Sequence, residues 1–381
     1  MSDLSFYVHI PYCVKRCGYC DFNTYTPSEL REGGTLETVS GDYIDAVLRE
    51  IGIAHAQASD ANVPTIFFGG GTPSLLPARD LGRVISSIEE KWNLAPDAEI
   101  TLEANPDSVD ASKLAELRVA GFNRISFGMQ SAVPHVLQAL DRTHNPENIS
   151  KVVGAAQDAG FESISLDLIY GAPGETLENF RTSVETALSL GVDHLSAYAL
   201  IVETGTKLAA QIKRGELSMP NDDLMADMYL LVDELCEAAG FSWYELSNWS
   251  KPNHESRHNI AYWRNANWWG LGPGAHSHID GTRWWNMKHP TAYKNALFGN
   301  ASPVQDSEEL TAQQKSDEAI MLSIRMRGGI PLSSLSLGQK EKVTEYRQSG
   351  HLDSSRWDEG TLQLTPNGRL IADRIVRELV V

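Results

Sequence analysis

From Ser5 onward, short apolar runs alternate with longer stretches in which apolar residues recur every three or four positions. Short runs of β-branched, aliphatic and aromatic residues suit strands buried in a sheet, and the longer period marks helices with one buried face. The strand candidates are Ser5 to Ile10, Thr65 to Phe68, Glu99 to Leu102, Arg124 to Phe127, Ser163 to Leu168 and His194 to Leu200. Between them, Ile44, Val47, Leu48 and Ile51 make one helical stripe, and Leu81, Val84, Ile85 and Ile88 make another. Six strand-helix units in succession predict an α/β fold with crossover helices on a parallel sheet.

A further helix is expected from Asp223 to Ala239, stopped by Gly240, with Phe241 to Leu246 adding an edge strand. Cys236 on that helix reads as a small apolar core residue. After Asn248 the period fades, and Trp249, Trp263, Trp268, Trp269, Trp284 and Trp285 crowd a polar, glycine-containing segment, expected as an irregular covering layer. From Leu310 helical periodicity returns, with a hairpin expected around Leu362 to Pro366 and a last helix through Ile371, Ile375 and Leu379. The chain therefore divides into residues 1–248, a Trp-rich segment 249–305, and a small, mostly helical, winged-helix-like domain over 306–381. That domain has no basic recognition helix, which favours a packing or lid role.

Composition narrows the function classes. With 32 basic against 50 acidic residues the formal charge is -18, which repels phosphate backbones and argues against nucleic acid as a partner. The opening Met1-Ser2-Asp3-Leu4-Ser5 has neither a basic region nor an apolar run. No stretch approaches the roughly 20 apolar residues of a membrane span, so a soluble cytoplasmic protein is expected. A peripheral membrane contact and a homodimer stay open.

The chemistry concentrates in the cysteines. Of four, Cys13, Cys17 and Cys20 fall in one short loop after the first strand, too tight for a disulfide framework. Structural zinc takes four Cys or His ligands, and although His9 is near, no second pair follows at finger spacing. Three thiolates suit a 4Fe-4S cubane that keeps one iron open. Gly69-Gly70-Gly71-Thr72-Pro73 follows the second strand, where glycine lets backbone approach a ligand. Polar residues end the next strands, with Glu103, Gln130 and Asp167 expected on one ligand-binding rim.

The cysteine spacing, with Tyr7-Val8-His9-Ile10-Pro11-Tyr12 before it, resembles the radical S-adenosylmethionine (SAM) superfamily. The flanking residues resemble the branch that holds oxygen-independent coproporphyrinogen III oxidase and the HemW haem chaperones, over nearly the whole chain. The resemblance implies a partial (β/α)6 barrel whose open iron binds SAM and whose electron can cleave it to a deoxyadenosyl radical. It also implies that Tyr7, Tyr19, Gly70, Glu103 and Ala199 surround that SAM. Gln130, Arg142, Asp167 and His276, with Gly71 and Thr72 beside them, match positions that contact a second SAM in the oxidase.

Two features separate the oxidase from the chaperones. The oxidase pattern has a further cysteine where this chain has Phe22, and His258-Asn259-Ile260-Ala261-Tyr262-Trp263 matches the HemW group's motif. The expected function is therefore haem binding at His258, Asn259, Tyr262 and Trp263, and transfer to an acceptor protein; the alternative is oxidative decarboxylation. Imidazole is a common axial ligand of haem iron and aromatic rings suit a porphyrin face, while a helix would put His258 and Tyr262 on one side. Arg257 and Arg264 read as solvated charges, and His254, His276, His278 and His289 remain other candidate ligands.

Overall fold

The computed structural model describes residues 2–30 and 36–380. Six strands, β1 (Ser5–Ile10), β2 (Ala61–Gly70), β3 (Asn93–Ala104), β4 (Arg124–Gln130), β5 (Ser163–Tyr170) and β6 (His194–Ala199), lie parallel and adjacent in chain order. Successive side chains of a strand point to opposite faces. On one face Phe6, Val8, Ile66, Phe68, Leu102, Ile125, Phe127, Leu166 and Leu168 are fully buried in a single core. That face is covered by α1 (Leu36–Gln57), α2 (Ala78–Lys91), α3 (Ala111–Val119), α5 (Asn148–Asp158) and α6 (Leu177–Ser189), which carry the expected stripes through Ile44 and Val47 and through Leu81 and Val84, while the short α4 (Pro134–Ala139) packs in a separate cluster with Ile169, Leu200 and Leu208.

Apart from Phe67 on β2, the residues between these apolar positions are mostly polar. Ser5, Tyr7 and His9 alternate with the core residues of β1, as do Glu99, Thr101 and Glu103 on β3, Arg124 and Ser126 on β4, and Ser165 and Asp167 on β5. They meet across the strands: Thr65 donates to Ser5 at 2.9 Å, Arg124 to Ser163 at 2.9 Å, and Ser126 to Asp167 at 2.9 Å. A helix-covered apolar face and a polar inner face are what the partial barrel requires, and the six-unit architecture matches the expectation.

After β6 come α7 (Lys207–Lys213) and α8 (Asp222–Ala238), then β7 (Ser242–Glu245) and β8 (Asn248–Ser250), an antiparallel pair beside β6. Cys236 is buried in the core. The short α9 (Arg257–Trp263) follows.

The Trp-rich segment is not an irregular layer. β9 (Trp268–Leu271) joins β1 in parallel, and β10 (His276–Ile279), β11 (Thr282–Asn286) and β12 (Val304–Glu309) continue the same 13-stranded sheet as an antiparallel meander. These strands are four to six residues long, and adjacent tryptophans serve opposite faces: Trp284 packs on Trp269, and Trp285 stacks on His276. Asp280-Gly281, with φ of 52° and 89°, makes the tight hairpin turn.

The C-terminal part has its own core, including Ile320, Ile324, Val343, Leu352, Ile375 and Leu379. The hairpin expected around Leu362 to Pro366 does not form. Instead β14 (Thr361–Leu362) pairs with the distant β13 (Ile330–Pro331), because Thr365 caps a helix that Pro366 begins. From that helix Arg369 pairs with Asp233 on α8 and lies 4.4 Å over the Trp243 ring, fastening the C-terminal part to the barrel.

Candidate functional site

Leaving β1, the chain turns into the loop that carries Cys13, Cys17 and Cys20, all free thiols and partly exposed. The glycine run holds the start of this loop: Gly71 and Thr72 donate their amides to the Ile10 and Tyr12 carbonyls at 2.7 and 2.8 Å. Lys15, from within the loop, and Lys207 on α7 both reach Asp141 at 2.7 Å and clamp the other side.

Each thiol has a polar neighbour. Thr72 donates to Cys13 Sγ at 3.7 Å, Arg142 Nη1 to Cys17 Sγ at 3.4 Å, and Cys20 Sγ lies 4.0 Å from Thr24 Oγ1. Burial pushes the Cys13 thiol up to about 11, so iron would have to displace its proton. Among the described residues no three His, Cys, Asp or Glu side chains converge on a single-ion site. A cubane binds each thiolate at a different iron, so it accepts a wider triangle than one ion does.

Beside the loop the strand ends supply the rim. Glu103 accepts the Gly70 amide at 3.1 Å, and burial pushes its carboxyl up to about 7, with Asp167 adding to the shift. Burial likewise raises Asp167. Gln130 ends β4 with φ of 62°, a left-handed conformation rare for a residue with a side chain, and it meets Arg142 beside Gly128. Gln130 Oε1 and Arg142 Nε are buried without a protein partner among the described residues. Such atoms need a ligand or water, and two buried acids beside them suit the amino and hydroxyl groups of a SAM molecule. The donor set therefore fits both the cluster and SAM.

Gly70, Gly71, Thr72, Glu103, Gln130 and Arg142 thus lie at the end of the polar interior beside the cysteine loop, Tyr7 and Asp167 lie further in on their strands, and Tyr19 is close to Cys17 and Arg142. Tyr7 donates to His9 Nδ1 at 3.0 Å, because His9 Nε2 carries the proton given to the Asn23 carbonyl at 2.9 Å. Ala199 ends β6, exposed, and His276 lies on the far flank of β1, where its ring contact is Trp285.

The His258 motif is placed at the opposite end. Glu99, at an inward position in the middle of β3, accepts the backbone amides of Arg257 and His258 at 3.0 Å each, and its charge suits the N-terminus of α9. Arg124 stands 3.8 Å from Glu99, and both are buried. The His258 side chain is 1% exposed: Nδ1 donates to Thr65 at 2.7 Å, Nε2 accepts from Tyr262 at 3.0 Å, and the ring stacks on Phe67. Burial pushes this imidazole down to about 3, so it is neutral, and neither nitrogen is open in this arrangement. His258 and Tyr262 do share a helix face.

Asn259 donates to the Tyr244 hydroxyl at 3.3 Å and to Glu245 at 3.2 Å, and Trp263 is partly exposed. Arg257 is half-exposed and pairs with Asp97 at 3.0 Å. The Glu99–Arg124 pair was not anticipated from sequence. Its signal was the recurrence of polar residues, Ser5, Thr65, Glu99 and Arg124, near the starts of apolar strands.

Comparison with known proteins agrees with this architecture. The sequence model of the radical SAM superfamily matches residues 7–187. A haem chaperone HemW of Mycobacterium tuberculosis is 46% identical over 375 residues, 98% of this chain and 94% of that one. The Bacillus subtilis HemW is 37% identical over 86% of this chain and 84% of its own length. In fold the chain is similar to the coproporphyrinogen III oxidase HemN of Escherichia coli, with a TM-score of 0.84 at 24% identity, over 99% of this chain and 90% of that one.

Proposed function

Because the chain belongs to the radical SAM superfamily and, within it, to the HemW haem chaperones, we propose that it binds haem and passes it to an acceptor protein. The observation that carries this reading is the 46% identity to a haem chaperone over 98% of the chain. Phe22 supports it. Where the oxidase pattern has a further cysteine, this side chain is 63% exposed beside the cluster loop.

On this reading Cys13, Cys17 and Cys20 hold a 4Fe-4S cluster, and Tyr7, Tyr19, Gly70, Glu103 and Ala199 hold SAM. When bound, the cluster supplies one electron and an open iron for the amino acid end of SAM. The chain's own residues do the rest. Arg142 gives Cys17 a hydrogen bond that tunes the cluster, Glu103 and Asp167 offer acceptors, and the glycine run keeps the loop seated. Gln130, Arg142, Asp167 and His276 are the candidates for contacting a further SAM. Among the described residues no helix is long and apolar enough to cross a membrane.

The test is anaerobic incubation of cluster-reconstituted protein with coproporphyrinogen III, SAM and a reductant. The chaperone reading expects no protoporphyrinogen. Steady turnover to protoporphyrinogen would make the oxidase reading the correct one.

A further inference from the structure

Three of the four motif residues point to three separate parts of the barrel. His258 reaches β2 through Thr65 and Phe67, Asn259 reaches β7 through Tyr244 and Glu245, and the Tyr262 ring meets Trp268 of β9 at 4.8 Å. In the sheet order β9 adjoins β1 on one side of the six parallel strands, and β7 lies beyond β6 on the other. Helix α9 therefore straps the two flanks together across the end of the interior opposite the cysteine loop. Glu99 anchors the strap at its N-terminus.

From this strap the packing continues through Phe67 and across to its register partner Tyr7 on β1. The His258 ring lies 5.1 Å from Phe67 at an interplanar angle of 21°, and Phe67 lies 6.2 Å from Tyr7 at 24°. Above Phe67 comes Gly69, where a Cβ would sit 2.8 Å from Phe67 Cε1 and 2.9 Å from Glu103 Oε2. Phe67 and the Glu103 carboxylate thus press on the same spot of backbone, next to the Gly70 amide that Glu103 holds. Burial, then the Glu103 carboxylate, raises the Tyr262 phenol.

We infer that His258 and Tyr262 are positioning residues for the SAM chamber, supporting Phe67, Tyr7 and Glu103 from below, and are not ligands of haem iron. To take iron, His258 Nε2 would first have to give up the Tyr262 hydrogen bond. A buried neutral imidazole with both nitrogens used is instead a rigid spacer. The inference rests on reading the rim as the SAM site, and it adds that the motif acts on SAM through packing.

The test uses cluster-reconstituted full-length protein and two variants, His258→Ala and Tyr262→Phe. The second removes only a hydroxyl, so it stays informative if the first folds poorly. SAM is titrated against the electron paramagnetic resonance spectrum of the reduced cluster, and haem is titrated in parallel by its Soret band. The expected result is unchanged iron and sulfide content and an unchanged Soret band, with the SAM-dependent spectral change moved at least fivefold higher in SAM concentration. His258→Gln, which can still donate to Thr65 and accept from Tyr262, is expected to recover part of that loss. SAM titrations like wild type in both variants would overturn the inference, as would a Soret band lost or shifted while SAM binding is untouched. A wild-type spectrum indifferent to SAM would instead overturn the reading of the rim on which the inference rests.

Discussion

Glu103 accepts the backbone amide of Gly70 at 3.1 Å, which ties the end of β3 to the glycine run beside the cysteine loop. A hydrogen bond to a charged acceptor contributes about 1.5–3 kcal/mol. Glu103→Gln keeps the shape but loses the charge and turns a donor toward one of its neighbours. It is predicted to weaken SAM binding about tenfold or more, read by calorimetric titration of the reconstituted protein, with cluster content unchanged.

Arg142 donates to Cys17 Sγ at 3.4 Å and to the Gly128 carbonyl at 2.8 Å. A donor on a cluster thiolate favours the reduced, more negative state. Removing it by Arg142→Ala is predicted to lower the cluster's midpoint potential. A hydrogen bond of about 1.5 kcal/mol corresponds to about 60 mV for one electron. Spectroelectrochemical titration of the two proteins checks this.

The Glu99–Arg124 pair makes a stability prediction. Glu99→Ala leaves a buried guanidinium without its carboxylate and removes the acceptor for two amides of α9. Breaking one partner of a buried pair costs about 3–5 kcal/mol. Urea unfolding is expected to show that loss, and Glu99→Ala with Arg124→Met is expected to recover part of it.

These residues also show how far the sequence could be read. The six strands were legible because each is a short run of aliphatic, β-branched and aromatic residues set between helical stripes, as in Ser5 to Ile10 and Arg124 to Phe127, and the cysteine spacing marked the loop that follows β1. β9 to β12 were not legible as strands. Their tryptophans serve both faces, so Trp268 and Trp269, or Trp284 and Trp285, leave no period, and only Asp280-Gly281 betrayed a hairpin. The motif residues could be picked out by resemblance. That His258 lies against Phe67 and Thr65, 193 residues away from the latter, depends on α9 crossing back over the end of the sheet and no local pattern carries it.

Glu50 on α1 adds a dependence on pH. It accepts from the Gly272 amide at 2.9 Å, from Asn286 at 2.7 Å and from the Tyr293 hydroxyl, which pins the β9–β11 flank to the helix layer. Burial pushes its carboxyl from 4.5 up to about 7. The folded state therefore binds a proton more tightly than the unfolded chain, and its stability falls as pH rises from about 4.5 through about 7. The shift corresponds to at most about 3 kcal/mol. Thermal unfolding of wild type between pH 5.5 and 7.5 is expected to show the decline, and Glu50→Gln is expected to flatten it.

The most direct test of the haem chaperone reading is a haem titration of the purified, cluster-loaded protein, followed by absorbance in the Soret region. The account predicts a saturable Soret band that reaches its plateau at stoichiometric haem and persists through gel filtration. Haem that gives only the spectrum of the free compound, and that elutes apart from the protein, would contradict it.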